Sequence, residues 1–349
     1  MVRKPHASAS DRMRDSAVVE TPGRVRLYED RIEVLPDNAL DAESLPFDSA
    51  SFASMTTVAV QRLGANYMEF DVVGVAPAIA NALRRVMISE IPTMAIETVF
   101  VINNTSIIPD EVLSHRLGLV PIFADPRKFE STRPGESENE SNSLFFELRA
   151  RCFPNGRQGL SSDAPATERL TNACVYSSAI TWIPQGNQAE ALGTPARPAD
   201  SDILLLKMRQ GQEVDLELHC VKGIGKDHAK WSPVSCATYR LMPRITILEP
   251  ILGDLADRFA GMFPPGVVEV HGTGPSRKAA VVCPRKDTVT REVLRHAEFS
   301  DKVILSRVYD HFIFRVETVG FFGPVDVVRE ALGVLMAKCD VLRDALNEI

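Results

Sequence analysis

The sequence predicts an α+β chain in which a mainly β module is inserted between two α+β segments. Three observations predict it. Apolar residues recur at helical spacing after Pro77 and again from Pro324 nearly to the C-terminus. Between about residues 120 and 245 the texture changes to short strand-like runs, separated by loops rich in Pro, Gly, Ser and Asn. After Pro250 helical and strand patterns mix again.

The 349 residues suffice for two compact domains, because a single hydrophobic core stops growing near roughly 250–300 residues. Hydrophobic residues at 45% and charged residues at 24% exclude wholesale disorder. A net charge of −7 and a pI near 5.6 argue against a protein whose main task is to coat nucleic acid, since phosphate neutralisation needs a basic surface. Little or no direct nucleic-acid contact is expected. The six cysteines, Cys152, Cys174, Cys220, Cys236, Cys283 and Cys339, show no short spacings and read as reduced thiols. The polar start carries no apolar run of signal type, and Arg3-Lys4 is too short for a basic localisation cluster. No stretch is long and apolar enough for a membrane span. An intracellular chain without membrane contact is the expectation.

In order, residues 1–55 read as a polar extension broken by Pro22, Pro36 and Pro46, able at most to pack along a neighbouring surface. Val58 to Val60 and Tyr67 to Val75 read as strands, with Gly64 and Asn66 favouring a turn between them. Pro77 opens a helix, where its missing N–H costs nothing. Ile79, Ala82, Leu83, Val86 and Met87 line one apolar face, and Pro92 ends the element. A strand over Glu97 to Val101 and a short helix over Pro109 to Gly118 complete a first segment, 56–115. Segment 116–245 is the β-rich insert, with strands near Leu144–Arg149, Ala179–Trp182, Ile203–Leu206, Val214–His219 and Thr238–Leu241. Its loops at 130–143 and 184–201 read as mobile surface. Segment 246–349 predicts helices over Leu252–Phe263 and Thr290–Glu298 and a strand over His311–Val319. In that strand Phe312, Phe314 and Val316 share one face and Ile313, Arg315 and Glu317 the other.

The last helix, opened by Gly323-Pro324, carries two apolar stripes. Val327, Val334 and Val341 form one, and Val328, Leu335 and Leu342 form the other, about 100° round the helix. A helix covering only its own core shows one stripe. The second stripe fits either a partner protein or a helix sunk deep in its own core, and period alone leaves both open.

Little catalytic chemistry is visible. Gly223-Ile224-Gly225-Lys226 superficially resembles a phosphate loop, but it lacks the first Gly and puts Asp227 where Ser or Thr must hold Mg²⁺. Gly272-Thr273-Gly274 runs into a proline, and both stretches read as turns. His219, Cys220, His228 and Cys236 cluster in sequence without the Cys-x₂₋₄-Cys or His-x₃₋₅-His pair of a structural zinc site, so the two cysteines read as small buried apolar residues. No Gly-x-Ser-x-Gly elbow exists, and no enzyme class or cofactor is supported. Arg84 and Arg85 flank the first helix's apolar face, to snorkel over their own domain or to grip a partner's carboxylates. His228 and Trp231 are either packed loop residues or interface anchors.

Taken together, three stretches carry a specific resemblance. Ala80-Asn81-Ala82-Leu83-Arg84-Arg85-Val86-Met87-Ile88-Ser89-Glu90-Ile91-Pro92 resembles the helix signature of the RNA polymerase α-subunit family. Asn103-Asn104-Thr105-Ser106, Asp110-Glu111-Val112-Leu113 and His115-Arg116-Leu117-Gly118-Leu119-Val120-Pro121 resemble its eukaryotic and archaeal continuation. Asp227-His228-Ala229-Lys230-Trp231-Ser232-Pro233-Val234 resembles a loop of the same family. Arg285 to Arg295 and Asp310 to Phe314 look like the form shared by polymerases I and III, and the likeness runs from about Val58 to the C-terminus.

That resemblance implies a discontinuous α-type dimerisation domain with a β-rich insert domain. It implies a non-catalytic assembly subunit that pairs with a smaller α-like subunit through Ile79, Leu83, Val86, Met87, Val327, Val328, Val334, Leu335, Val341 and Leu342. Arg84, Arg85, His228, Lys230 and Trp231 become candidate contacts to the second-largest and largest subunits, with a small zinc-binding subunit as a further partner. The implied location is the nucleus, both nucleolus and nucleoplasm. Relatives in polymerase II carry a cysteine cluster in the insert that this sequence lacks, which fits the I and III form and no cofactor; an α-like subunit of another polymerase is the alternative.

Overall fold

The computed structural model describes residues 25–34, 48–132, 136–155, 165 and 169–348. Arg3-Lys4, Pro22, Pro36 and Pro46 lie outside the described residues, as does part of the 130–143 loop. The main elements in chain order are β1 (Val25–Leu27), β2 (Ile32–Val34), β3 (Thr57–Leu63), β4 (Tyr67–Val73), α1 (Pro77–Ser89), β5 (Pro92–Asn104), α2 (Asp110–Gly118), β6 (Ser143–Arg151), β7 (Ile180–Ile183) and β8 (Glu213–Ile224). Then follow β9 (Val234–Ile247), α3 (Asp254–Gly261), β10 (Val268–His271), β11 (Lys278–Val281), β12 (Val303–Thr318) and α4 (Pro324–Asn347). The architecture is α+β. Two compact units result: Thr57–Tyr239 with Ile313–Ile349, and Arg240–Phe312 with the described residues up to Thr56.

In the first unit β3 and β4 form an antiparallel hairpin, with Val58 opposite Val72 and Val60 opposite Phe70. β12 lies on the other side of β4, and Phe70 stacks on Phe314 with ring centroids 5.1 Å apart. Helix α4 packs against α1 and β4. Ile313 is buried beside Phe312 and Phe314, so the expected alternation fails there and only Arg315 is exposed. That stretch of β12 is covered on both faces.

The same unit holds an antiparallel sheet in the order β7-β6-β8-β5. Leu144, Phe146, Leu148, Leu216, Leu218 and Cys220 point into its core, where Leu113 and Leu117 of α2 pack. The edge strand β5 comes from the segment expected to belong with α1, and it runs well past Glu97–Val101 in both directions. Strand pairing to β8 over its whole length explains the extension.

The glycines of Gly223-Ile224-Gly225 serve packing. Gly223 stands in β8, not in a turn, and a Cβ on it would lie 2.4 Å from the Trp231 ring. Gly225 turns against the end of α1: an added Cβ would lie 2.3 Å from the Ile88 carbonyl oxygen, and the next amide, Lys226 N–H, donates to Ser89 O at 2.8 Å. Backbone cannot yield as a side chain can. Gly225→Ala is therefore expected to destabilise the chain by about 1–3 kcal/mol, read as a fall of several degrees in Tm by calorimetry; an unchanged Tm would contradict this packing.

In the second unit β1 pairs with β2 and with β12, Leu27 opposite Leu305. Leu27 thus joins a core with Ile245, Phe259, Phe263, Phe299 and Leu305, so part of the N-terminal extension packs into that core. Helix α3 follows Gly253, whose φ of 60° is left-handed and suits glycine. The single helix expected over Thr290–Glu298 is absent. A short turn at Glu292–Arg295 and another at Ala297–Ser300 replace it, parted by His296 in extended conformation, φ −99° and ψ 112°. Val289, at φ 63°, bars a helix from running in from upstream.

Candidate dimerisation surface

Helix α1 starts at Pro77 and ends where Glu90 N–H donates to Val86 O. Ala80, Leu83, Val86 and Met87 form its buried face. Leu83, Val86 and Met87, expected at an interface, are buried within their own chain, on a helix that packs against α4. Ile79 sits in the first turn and is 46% exposed. At the other end Lys338 Nζ on α4 pairs with Glu90 Oε2 at 2.5 Å.

Helix α4 changes character along its length. Pro324, Val327 and Ala331 are buried. Val328, Val334 and Leu335 are half-buried. Val341 and Leu342, in the last two turns, are 68% and 66% exposed. The Val327–Val334–Val341 stripe therefore begins under its own chain and ends bare. Ion pairs such as Arg343–Asp340, 2.9 Å, occupy the polar side. Val334, Ala337, Lys338, Val341 and Leu342 bound an open hollow of about 510 Å³. Apolar residues grouped this way on a surface mark an interaction site, and burying each Val or Leu contributes about 1.5–3 kcal/mol. Sequence reading missed Leu332, Met336 and Leu346, all exposed. A signal existed: Leu332, Cys339 and Leu346 recur at seven-residue spacing, a further stripe beside the two tracked.

The residues expected to touch large subunits separate in the structure. Arg84 donates from Nε and Nη2 to Asn81 Oδ1 at 3.1 and 3.0 Å, half-buried on its own helix. Arg85 and His228 are exposed. Trp231 is not an exposed anchor: it is buried over Gly223, its Nε1 donates to Val221 O at 3.2 Å, and its carbonyl accepts from Thr93 Oγ1. Lys230 is likewise turned inward, 11% exposed, with Nζ donating to Ile96 O at 2.9 Å and pairing with Glu97 above the Trp231 ring. His228 shapes this loop, its Nδ1 accepting from Lys230 N–H at 3.1 Å. Loop 227–234 thus fastens β5 to β8.

Among the described residues no three His, Cys, Asp or Glu side chains gather closely enough to hold a metal ion. Burial pushes the Cys220 thiol far above its usual range, so it stays protonated and is a poor ligand or nucleophile. Cys236 is half-buried, not buried as expected, since its strand face is only partly covered. No helix among the described residues is long and apolar enough to cross a membrane. What this surface offers is apolar contact.

The model of the RNA polymerase Rpb3/Rpb11 dimerisation domain matches residues 69–339. The chain is 48% identical over 306 residues to the human DNA-directed RNA polymerases I and III subunit RPAC1, covering 87% of this chain and 88% of that one. It is 43% identical over 314 residues to the subunit of that name in Saccharomyces cerevisiae, covering 88% and 92%. To the Arabidopsis thaliana DNA-directed RNA polymerases II, IV and V subunit 3 it is 32% identical over 307 residues, covering 85% and 93%. The chain belongs to the RNA polymerase Rpb3/Rpb11 dimerisation-domain family.

Proposed function

We propose that the chain is a non-catalytic assembly subunit of DNA-directed RNA polymerases I and III. It pairs with a smaller α-like subunit to make the platform on which the large subunits gather. The observation that carries this is the bare end of α4, where Val341 and Leu342 continue a stripe whose start is core. The higher identity to I and III subunits than to the II, IV and V subunit supports that assignment over its alternative. Ile79, Leu332, Met336, Val341, Leu342 and Leu346 form the exposed pairing surface, with Val328, Val334 and Leu335 at its margin. Leu83, Val86, Met87 and Val327 support it from beneath.

Arg85 and His228 are the exposed candidates for the second-largest and largest subunits. A small zinc-binding subunit completes the platform, and catalysis resides in the two largest subunits. The complex works in nucleolus and nucleoplasm. Affinity purification of the tagged full chain from nuclei tests this: the large subunits specific to polymerases I and III are expected with it, and recovery of polymerase II alone would contradict the assignment.

A further inference from the structure

The hairpin of β1 and β2 is tied to the second unit at few points. Among residues 26–33 only Leu27 is buried, in one core cluster with Phe299 and Leu305. β1 pairs with β12 over three residues: Val25 with Arg307, Arg26 with Ser306 and Leu27 with Leu305. Arg291 Nη1 donates to the Tyr28 carbonyl at 3.4 Å. Several further contacts lie inside the hairpin. Tyr28 N–H donates to Arg31 O at 2.9 Å, and the Arg26 and Arg31 guanidinium groups stand over the Tyr28 ring. Two strands of three residues do not hold together alone in water. Ordering them costs backbone entropy that one buried leucine offsets only in part. Such an element opens locally while the rest of its unit stays folded.

Beneath the hairpin lies a surface suited to a strand. Without β1, β12 presents its edge at Leu305–Arg307 and the apolar socket that Leu27 fills. The hairpin serves that edge imperfectly. Arg307 Nε is buried and has no hydrogen-bond partner among the described residues. Residue 25, directly across from Arg307, is a valine, which has no side-chain acceptor to offer. Side chains opposite each other on antiparallel strands share a face and lie within reach. A buried donor without a partner is costly, so a carboxylate at that place fits better than the chain's own residue.

We propose that the hairpin is a detachable cover over a strand-docking site on β12. Its occupant is an extended segment of a partner protein, with a carboxylate facing Arg307 and an aliphatic side chain facing Leu305. Recognition is by strand addition, in which ladder hydrogen bonds supply affinity and the two side-chain positions supply selectivity. A second copy donating the same hairpin would bring Val25 again and leave Arg307 unpaired. The proposal goes beyond pairing through α4 and does not depend on it, so either can fail alone.

Hydrogen exchange on the full-length chain tests the cover, comparing wild type with Leu27→Ala and Val25→Glu. Amides of residues 25–34, and those of Leu305–Arg307 that face β1, are expected to exchange at least about tenfold faster than those of β10 and β11 in the same unit. Leu27→Ala should speed exchange of the hairpin about tenfold or more and leave β10 and β11 as they were. Val25→Glu should slow it about threefold or more, by giving Arg307 an acceptor. For the site itself, the Leu27→Ala chain is titrated with a synthetic peptide of residues 25–34 bearing Val25→Glu. Saturable binding that restores protection at Leu305–Arg307 is expected, weaker for the unaltered peptide and absent for one that also bears Leu27→Asp.

Exchange of the hairpin only in step with β10 and β11, or protection lost there in Leu27→Ala, would make β1 an integral part of the core and overturn the cover. Val25→Glu exchanging no more slowly than wild type would overturn the docking site. So would a Val25→Glu peptide that fails to bind, or one bound no better than the unaltered sequence. A dimer of the wild-type chain that Leu27→Ala abolishes would mean exchange of hairpins between copies, and would overturn the proposal as well.

Discussion

Replacing Val341 and Leu342 by aspartate should abolish pairing with the smaller α-like subunit and leave the chain itself folded. Both side chains are mostly exposed within the chain, so the substitutions remove no internal packing. Helix geometry is preserved as well, because the exposed surface of α4 already carries Asp340 and Asp344. In the pair the same two positions would become a desolvated apolar contact, where an unpaired carboxylate is costly. Burying a Val or Leu side chain contributes about 1.5–3 kcal/mol, so losing both should weaken pairing by more than about a hundredfold. Titration calorimetry or pull-down quantifies the loss, and an unaltered Tm of the isolated variant shows that the loss is at the surface. Pairing at wild-type strength would remove the end of α4 from the interface.

Val327→Asp should behave in the opposite way, although it lies in the same heptad stripe. Val327 is fully buried in the first turns of α4, where its own chain covers it. A carboxylate there has no cation beside it on its own stripe, Val334 and Ala331 being the neighbours. Leaving an uncompensated charge in a core costs about 3–5 kcal/mol, a large share of the roughly 5–15 kcal/mol that a domain has. The isolated variant should therefore lose its cooperative thermal transition or show a Tm lower by ten degrees or more, about what that cost implies. Its failure to pair would then be secondary to unfolding. A variant with normal Tm and lost pairing would place Val327 at the interface instead.

This difference between two members of one stripe shows what period can and cannot reveal. Spacing placed Val327, Val334 and Val341 on one line of α4, since 3.6 residues per turn is a property of the local chain. Which end of that line is covered depends on where the sheet and α1 stop, and those are set by residues hundreds of positions away. The same limit applies to β3: Val58 to Val60 read as a strand, but only pairing makes it the edge of its sheet among the described residues, with Val58, Val60 and Leu63 exposed. Trp231 was legible as an unusual residue, but sequence left it open between a packed loop residue and an interface anchor, because its pocket is made by Gly223, a glycine taken for a turn. β5 could not be assigned to its sheet from its own residues, since its partner β8 begins more than a hundred residues later. The motif around Arg84 and Arg85, by contrast, identified the family from sequence, and the match over residues 69–339 agrees.

On the proposed function, this chain completes its surface with a different, smaller α-like subunit. Light scattering on the two full-length chains purified together tests it most directly. A single 1:1 species is expected, with the exposed side chains of α4 becoming protected from surface labelling at Met336 and Cys339. Two separate monomers, or a homodimer of this chain that excludes the smaller subunit, would contradict the account.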